Sequence, residues 1–211
     1  MDQILSPAEI EKASFATIST ELGDRLLDAQ NTNVIKRVIH TTADFDYADN
    51  LVFSDDVVSI AKSVLSAGAR IVTDTKMALS GINKPALEQL GCSAHCFIDD
   101  PEVVAQAKLS KQTRALTAVD QAVKVLEQPI IFAVGNAPTA LIRLHELVLS
   151  SGLRPALVIA VPVGFVNVVE SKEMIIGLDI PYIVARGRKG GSNVAAAIIN
   201  ALLYETTGRT L

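Results

Sequence analysis

Val57-Val58-Ser59-Ile60-Ala61-Lys62-Ser63-Val64-Leu65-Ser66-Ala67-Gly68-Ala69-Arg70-Ile71-Val72-Thr73-Asp74 is the stretch whose pattern the rest of the chain repeats. Val57, Ala61, Val64 and Leu65 recur at helical spacing, Gly68 ends the helix, and Arg70-Ile71-Val72-Thr73 reads as a short buried strand. Further strands are expected at Ala94 to Ile98, Ile130 to Val134, Leu157 to Val161 and Tyr182 to Ala185. Helical patterns lie between them at Val103 to Lys108, Thr113 to Leu126, Thr139 to Ser150, Val166 to Ile176 and Asn193 to Tyr204. Five short apolar strands alternating with helices predict an α/β fold, three-layer αβα, around a five-stranded, mainly parallel sheet.

Upstream of this pattern the chain is helical. Ser6-Pro7-Ala8-Glu9 is a capping box with proline at the first helical position, and Ile10, Ala13, Leu22 and Leu26 continue the stripe, which predicts a helix to about Ala29. Val34-Ile35-Lys36-Arg37-Val38-Ile39 spaces its apolar residues for a second short helix, with His40 near its C-terminus. The chain, 1–211, is expected to form a single domain, with N-terminal helices over about 6–40 that carry His40.

Composition narrows the partners. Lys plus Arg is 19 against 23 for Asp plus Glu, a formal net charge of -4, so no global basic field exists to attract nucleic acid or an anionic membrane. An anionic ligand must be held by local cations. Met1 to Pro7 lacks the basic and apolar regions of a secretory signal, and no apolar run reaches the roughly 18 residues of a membrane span. A cytoplasmic protein is expected, and two cysteines, Cys92 and Cys96, fit a reducing compartment.

In open α/β sheets ligands bind beyond the carboxyl ends of the strands. Here those ends read Asp74-Thr75-Lys76-Met77, Asp99-Asp100, Gly135-Asn136-Ala137-Pro138, Pro162-Val163-Gly164-Phe165 and Arg186-Gly187-Arg188-Lys189-Gly190-Gly191-Ser192. Glycine admits a ligand to the backbone, a helix N-terminus offers free N–H groups, and arginine pairs with carboxylates. The last loop has all three, so Arg186, Arg188 and Lys189 are candidate anion contacts.

Single residues leave alternatives open. His40 is either a helix-end histidine capping its own last carbonyls or a proton donor with Arg37 as an anion clamp beside it. Arg37 also reads as a solvated helix cation, and Asp44 and Asp46 as turn residues. Lys172, between Glu170 and Glu173, is either part of a charged helix face or a group at a substrate mouth. His145 shares a helical stripe with Leu141 and Val148 and reads as a core or boundary residue. Cys92, His95 and Cys96 are not expected to share a metal, because His95 and Cys96 are neighbours on a strand and point to opposite faces.

The segments Arg37 to Asp46, Gly135 to Ala140, Pro162 to Val166 with Glu170-Ser171-Lys172, and Arg186 to Ser192 together resemble the precorrin-8X methylmutase family of corrin biosynthesis, and the resemblance covers nearly the whole chain. It implies an isomerase that moves a methyl group from C-11 to C-12 of the ring, a 1,5-sigmatropic shift from precorrin-8X to hydrogenobyrinate or between the cobalt-containing equivalents. It implies no cofactor, no metal ligand set and no consumed methyl donor. His40 falls on the family's catalytic histidine, Arg37 and Ser14 on substrate contacts, and Arg114 on a contact to a substrate carboxylate. The implied partners are a polycarboxylate tetrapyrrole and a second copy of the chain, a homodimer with substrate at the interface. Phe45, Tyr47 and Asn167-Val168-Val169 depart from the family's pattern around these motifs without removing a chemical group.

Two other readings are consistent with the same loops. A non-catalytic corrin carrier would hold the ring with no need of an acid. An α/β methyltransferase would carry a glycine-rich loop after its first strand, where this chain has Asp74-Thr75-Lys76-Met77.

Overall fold

The computed structural model describes residues 6–209; Met1 to Leu5, part of the stretch read for a secretory signal, lie outside the described residues. The Ser6 capping box opens α1 (Pro7–Leu22): the Glu9 amide donates to the Ser6 hydroxyl at 3.4 Å, and the Ser6 amide to Glu9 Oε2 at 2.7 Å. The helix stops seven residues earlier than its apolar stripe predicts. Gly23 takes φ 57, a conformation that favours glycine, and Leu26 beyond it is fully exposed. α2 (Thr32–Thr42) follows, then the single turn α3 (Tyr47–Asn50) and β1 (Leu51–Phe53).

α4 (Val57–Ser66) and β2 (Arg70–Thr73) form as the opening stretch predicts. Two short helices, α5 (Lys76–Gly81) and α6 (Lys84–Gln89), lead to β3 (Ser93–His95), which is shorter than the expected Ala94 to Ile98. The alternation then runs α7 (Pro101–Ser110), α8 (Arg114–Val125), β4 (Ile130–Val134), α9 (Pro138–Ser151), β5 (Leu157–Ala160), α10 (Val168–Ile176), β6 (Tyr182–Ala185) and α11 (Ser192–Thr207).

Among the described residues the sheet has six strands in the order β1-β6-β5-β4-β2-β3, one more than expected. The addition is β1, which pairs antiparallel with β6 from Leu51 opposite Ala185 to Phe53 opposite Ile183; all other neighbours are parallel. Three residues are too few to show a period, so β1 is recognisable only through a partner about 130 positions away.

Each face of the sheet has its own core. On one side α1, α2, α4 and α11 cover Ile71, Ile131, Leu157, Ile159 and Ile183; on the other, α8, α9 and α10 cover Val72, Phe132, Val134, Val158 and Val184. All five residues of β4 are therefore buried, the mark of a parallel strand covered on both faces. α11 is the pillar of the first layer, and α2 packs along it through Val34, Ile35, Val38 and Ile39.

The carboxyl ends of the strands hold one another. Asp74, just past β2, accepts from the amides of Gly135 at 2.9 Å and of Asn136 and Ala137 at 2.7 Å each. Burial pushes its carboxyl up from the usual range, and the three amides pull the other way. A Cβ at Gly135 would lie 2.7 Å from Ser192 Cα and 2.8 Å from the Gly191 carbonyl oxygen, and one at Gly190 would collide with the Val161 carbonyl. These glycines admit neighbouring loops to one another, where the sequence suggested the approach of a ligand.

Asp74→Ala would strand three amides at the end of the buried sheet, a loss of about 3 kcal/mol. Urea denaturation should show a lower midpoint with an unchanged slope; an unaltered midpoint would mean that solvent or another group can replace the carboxylate.

Candidate active site

The second helix carries His40 because its apolar face is taken by the core. Val38 and Ile39 are buried in the core that α2 shares with α11, and Ala43 ends the helix in a left-handed conformation, its amide donating to Ile39 O at 2.7 Å. His40 is thus left in the last turn and exposed. Its ring makes no hydrogen bond to a described residue, so it does not cap its own carbonyls; the Arg37 and Val38 carbonyls are taken by the hydroxyls of Thr41 and Thr42. Instead the imidazole stacks on Phe15 of α1, with centroids 5.2 Å apart and planes 15° from parallel.

Beside this stack lies an open cleft of about 320 Å³ between α1 and the end of α2. Ser14, Thr17, Ile18 and Glu21 line it from α1, and Ile39, His40, Ala43 and Phe45 from α2 and its exit. The Ser14 hydroxyl donates to Ile10 O at 2.9 Å, which leaves its oxygen free to accept from a ligand. None of the residues lining the cleft is a lysine or arginine.

Arg37 does not face this cleft as a solvated cation. It is 7% exposed, and its Nη1 donates to Glu11 Oε1 at 2.6 Å while Arg209 Nη2 donates to Glu11 Oε2 at 2.7 Å. Burial alone would push the Glu11 carboxyl up, but the two guanidiniums hold it below the usual range. The Arg37 guanidinium lies 4.7 Å from the Phe15 ring centroid and 5.2 Å from that of Tyr204. Its Nε and Nη2 are buried without a hydrogen-bond partner among the described residues.

The Arg186 to Ser192 loop is more occupied than its composition indicates. Arg186 is engaged with Glu173 through both carboxylate oxygens, at 3.0 and 3.1 Å. Lys189 reaches Asp44 and Asp46, the acidic exit of the His40 helix, at 2.6 Å each; the pair pushes the lysine's pKa up, and the Lys189 hydrogen bond holds Asp44 below the usual carboxylate range. Arg188 makes no ion pair among the described residues and sits 5.4 Å from the exposed ring of Phe165. Arg114 is an exposed first residue of α8, in the opposite helical layer from the cleft. One chain therefore brings Ser14 and His40 together and leaves Arg114 and Arg188 outside their cleft.

Lys172 is the residue that the sequence pattern misplaced. It is neither on a charged face nor at a mouth: it is completely buried, and its Nζ donates to the carbonyls of Gly187 and Lys189 at 2.8 Å each. Burial pushes its pKa down to about 8. Its flanking glutamates gave no hint of this, since the carbonyls it satisfies are 15 and 17 positions away.

Elsewhere, Cys92 Sγ donates to Leu65 O, His95 Nε2 meets Ser93 Oγ at 2.8 Å, and His145 is half-buried on α9. No group of three or more His, Cys, Asp or Glu among the described residues is placed to hold a metal ion. The amides of Gly135 to Ala137, where an anionic group would sit at the switch between β2 and β4, are already filled by Asp74, which counts against the methyltransferase reading.

Comparison with known proteins adds the following. Residues 9–205 match the family described as precorrin-8X methylmutase. A Salmonella typhimurium protein named cobalt-precorrin-8 methylmutase is 46% identical over 97% of this chain and 98% of its own. A Pseudomonas aeruginosa protein named precorrin-8X methylmutase is 36% identical over 97% and 99%. The crystal structure of a precorrin-8X methylmutase from Thermus thermophilus superposes with a TM-score of 0.88 at 38% identity, covering 96% of this chain and 99% of that one.

The buried ammonium makes a pH prediction. Between about 8 and the ordinary 10.5, the unfolded chain holds a proton on Lys172 that the folded chain has released, so this group makes stability rise with pH across that window. Below 8 both states are protonated and the contribution is constant. Wild type should therefore gain on Lys172→Met by up to about 3 kcal/mol across the window; denaturation midpoints that keep the same separation throughout would contradict it.

Proposed function

The chain belongs to the precorrin-8X methylmutase family, intramolecular transferases of cobalamin biosynthesis, and on that footing we propose that it performs the methyl shift with His40 as the proton donor. The observation that carries this reading is the exposed His40 ring, stacked on Phe15 at the edge of a cleft that it shares with Ser14. The non-catalytic carrier reading gives way to that of an enzyme.

The substrate is a broad apolar macrocycle fringed with carboxylates. Proton donation from His40 to the conjugated ring draws electron density from it as the methyl group leaves C-11 and bonds to C-12. The bond broken and the bond formed lie within one molecule, and the ring returns the proton, so the reaction is an isomerisation with the acid regenerated. A positioned acid is worth about 10²–10⁴-fold, or roughly 3–5 kcal/mol of barrier. Shape and charge complementarity to the rearranging ring supply the remainder.

Among the described residues no lysine or arginine lines the cleft around His40, while Arg114 and Arg188 are exposed elsewhere on the chain. That separation favours a homodimer in which substrate lies between copies, the acid coming from one and carboxylate contacts from the other. Ser14 offers an acceptor beside the ring. Arg186 and Lys189 reach a substrate carboxylate only by exchanging it for Glu173 or for Asp44 and Asp46.

His40→Ala should lower single-turnover isomerisation by at least about 10²-fold while leaving binding of the coloured corrin product intact. Near-normal turnover would remove His40 as the donor. Sedimentation should report twice the chain mass, and a protein that stays monomeric at micromolar concentration with and without corrin would defeat the shared site.

A further inference from the structure

Arg37 and His40 are three residues apart on α2 and so share one face of it. That face meets Phe15. The guanidinium lies 4.7 Å from the Phe15 ring centroid and the imidazole stacks on the same ring at 5.2 Å. Phe15 itself is 7% exposed and anchored in the buried stripe of α1 with Ile18 and Leu22.

We propose that Phe15 is a positioning residue for the acid: held from within the fold by Arg37, its ring fixes the orientation of the His40 imidazole toward the substrate. The proposal rests on the reading of His40 as the proton donor. An exposed histidine with no hydrogen bond to a described residue has no polar partner to fix its side-chain torsions. The flat face of Phe15 does so instead, as offset aromatic pairs prefer near-parallel or edge-on geometry. Arg37 is fixed in turn by Glu11, Glu11 by Arg209, and the Tyr204 ring lies 5.2 Å from the guanidinium and 4.3 Å from that of Arg209.

This also accounts for the two donors of Arg37 that lack a partner among the described residues. A guanidinium sunk to 7% exposure with Nε and Nη2 unpaired is costly unless ring faces take the charge, and the Phe15 and Tyr204 rings lie within cation–π range. Arg37 therefore acts through Phe15 as part of the support for the acid.

The test begins with the wild-type protein, whose proton spectrum has only three histidines to assign. The ring protons of His40 should be displaced upfield by the Phe15 ring current relative to free histidine, and should lose that displacement in Phe15→Leu and keep it in Phe15→Tyr. Phe15→Leu should lower kcat by about ten-fold, the scale expected for a misoriented catalytic group, with KM nearly unchanged, and Phe15→Tyr should restore it. Arg37→Met should likewise lower kcat without altering the salt dependence of corrin binding. Wild-type His40 protons at free-histidine positions overturn the proposal even if Phe15→Leu does not fold. So does normal kcat in Phe15→Leu, or weaker corrin binding with a flattened salt slope in Arg37→Met, which would make Arg37 a substrate clamp. An inactive His40→Ala alongside a fully active Phe15→Leu defeats the positioning role alone, whereas a fully active His40→Ala removes both readings.

Discussion

A buried backbone polar group must have a partner, and the carboxyl edge of this sheet is organised by that requirement. Five parallel strands end there, in loops whose amides and carbonyls need partners. Two buried charges satisfy them: the Asp74 carboxylate takes the amides of Gly135 to Ala137, and the Lys172 ammonium takes the carbonyls of Gly187 and Lys189. Side chains that could have met a ligand are thereby committed to the fold. The glycines play a matching part, since Gly135 and Gly190 let the loops after β4, β5 and β6 touch.

The switch between β2 and β4 is thus filled from within, and the His40 cleft lies away from it. His40, the proposed acid, stands on α2, whose place depends on the apolar seam with α11 and on one long connection: Lys172 holds the Lys189 carbonyl, and the Lys189 ammonium holds Asp44 and Asp46 at the exit of the His40 helix. Exposed ion pairs such as Lys189 with Asp46 contribute little stability individually. Their use here is geometric, because they tie the last strand's loop to the first helices of the chain.

The Glu11, Arg37 and Arg209 cluster follows a similar logic on the outer side of α11. Removing two charges from water costs more than a surface pair returns, so a buried pair is better evidence of specified geometry than of stability. Here the specified geometry is that of Phe15 and, through it, of His40.

Local pattern was enough for much of this fold. Strands β2, β4 and β6 stand where apolar runs bounded by turn residues place them, and the second helix ends as its four-residue spacing predicts, with His40 in its last turn. Each of these signals lies within about a dozen consecutive residues, so the sequence by itself determined the layer architecture and the position of its histidine. Tertiary structure decided the rest. The strand β1 exists only by pairing with β6, Lys189 finds its carboxylates 143 and 145 positions away, and the end of α1 and the inward turn of Arg37 depend on which surfaces the core left open. Charge partnership and the burial of a single polar side chain carry no periodic trace in sequence; they are settled by which groups the packed helices bring within hydrogen-bonding distance.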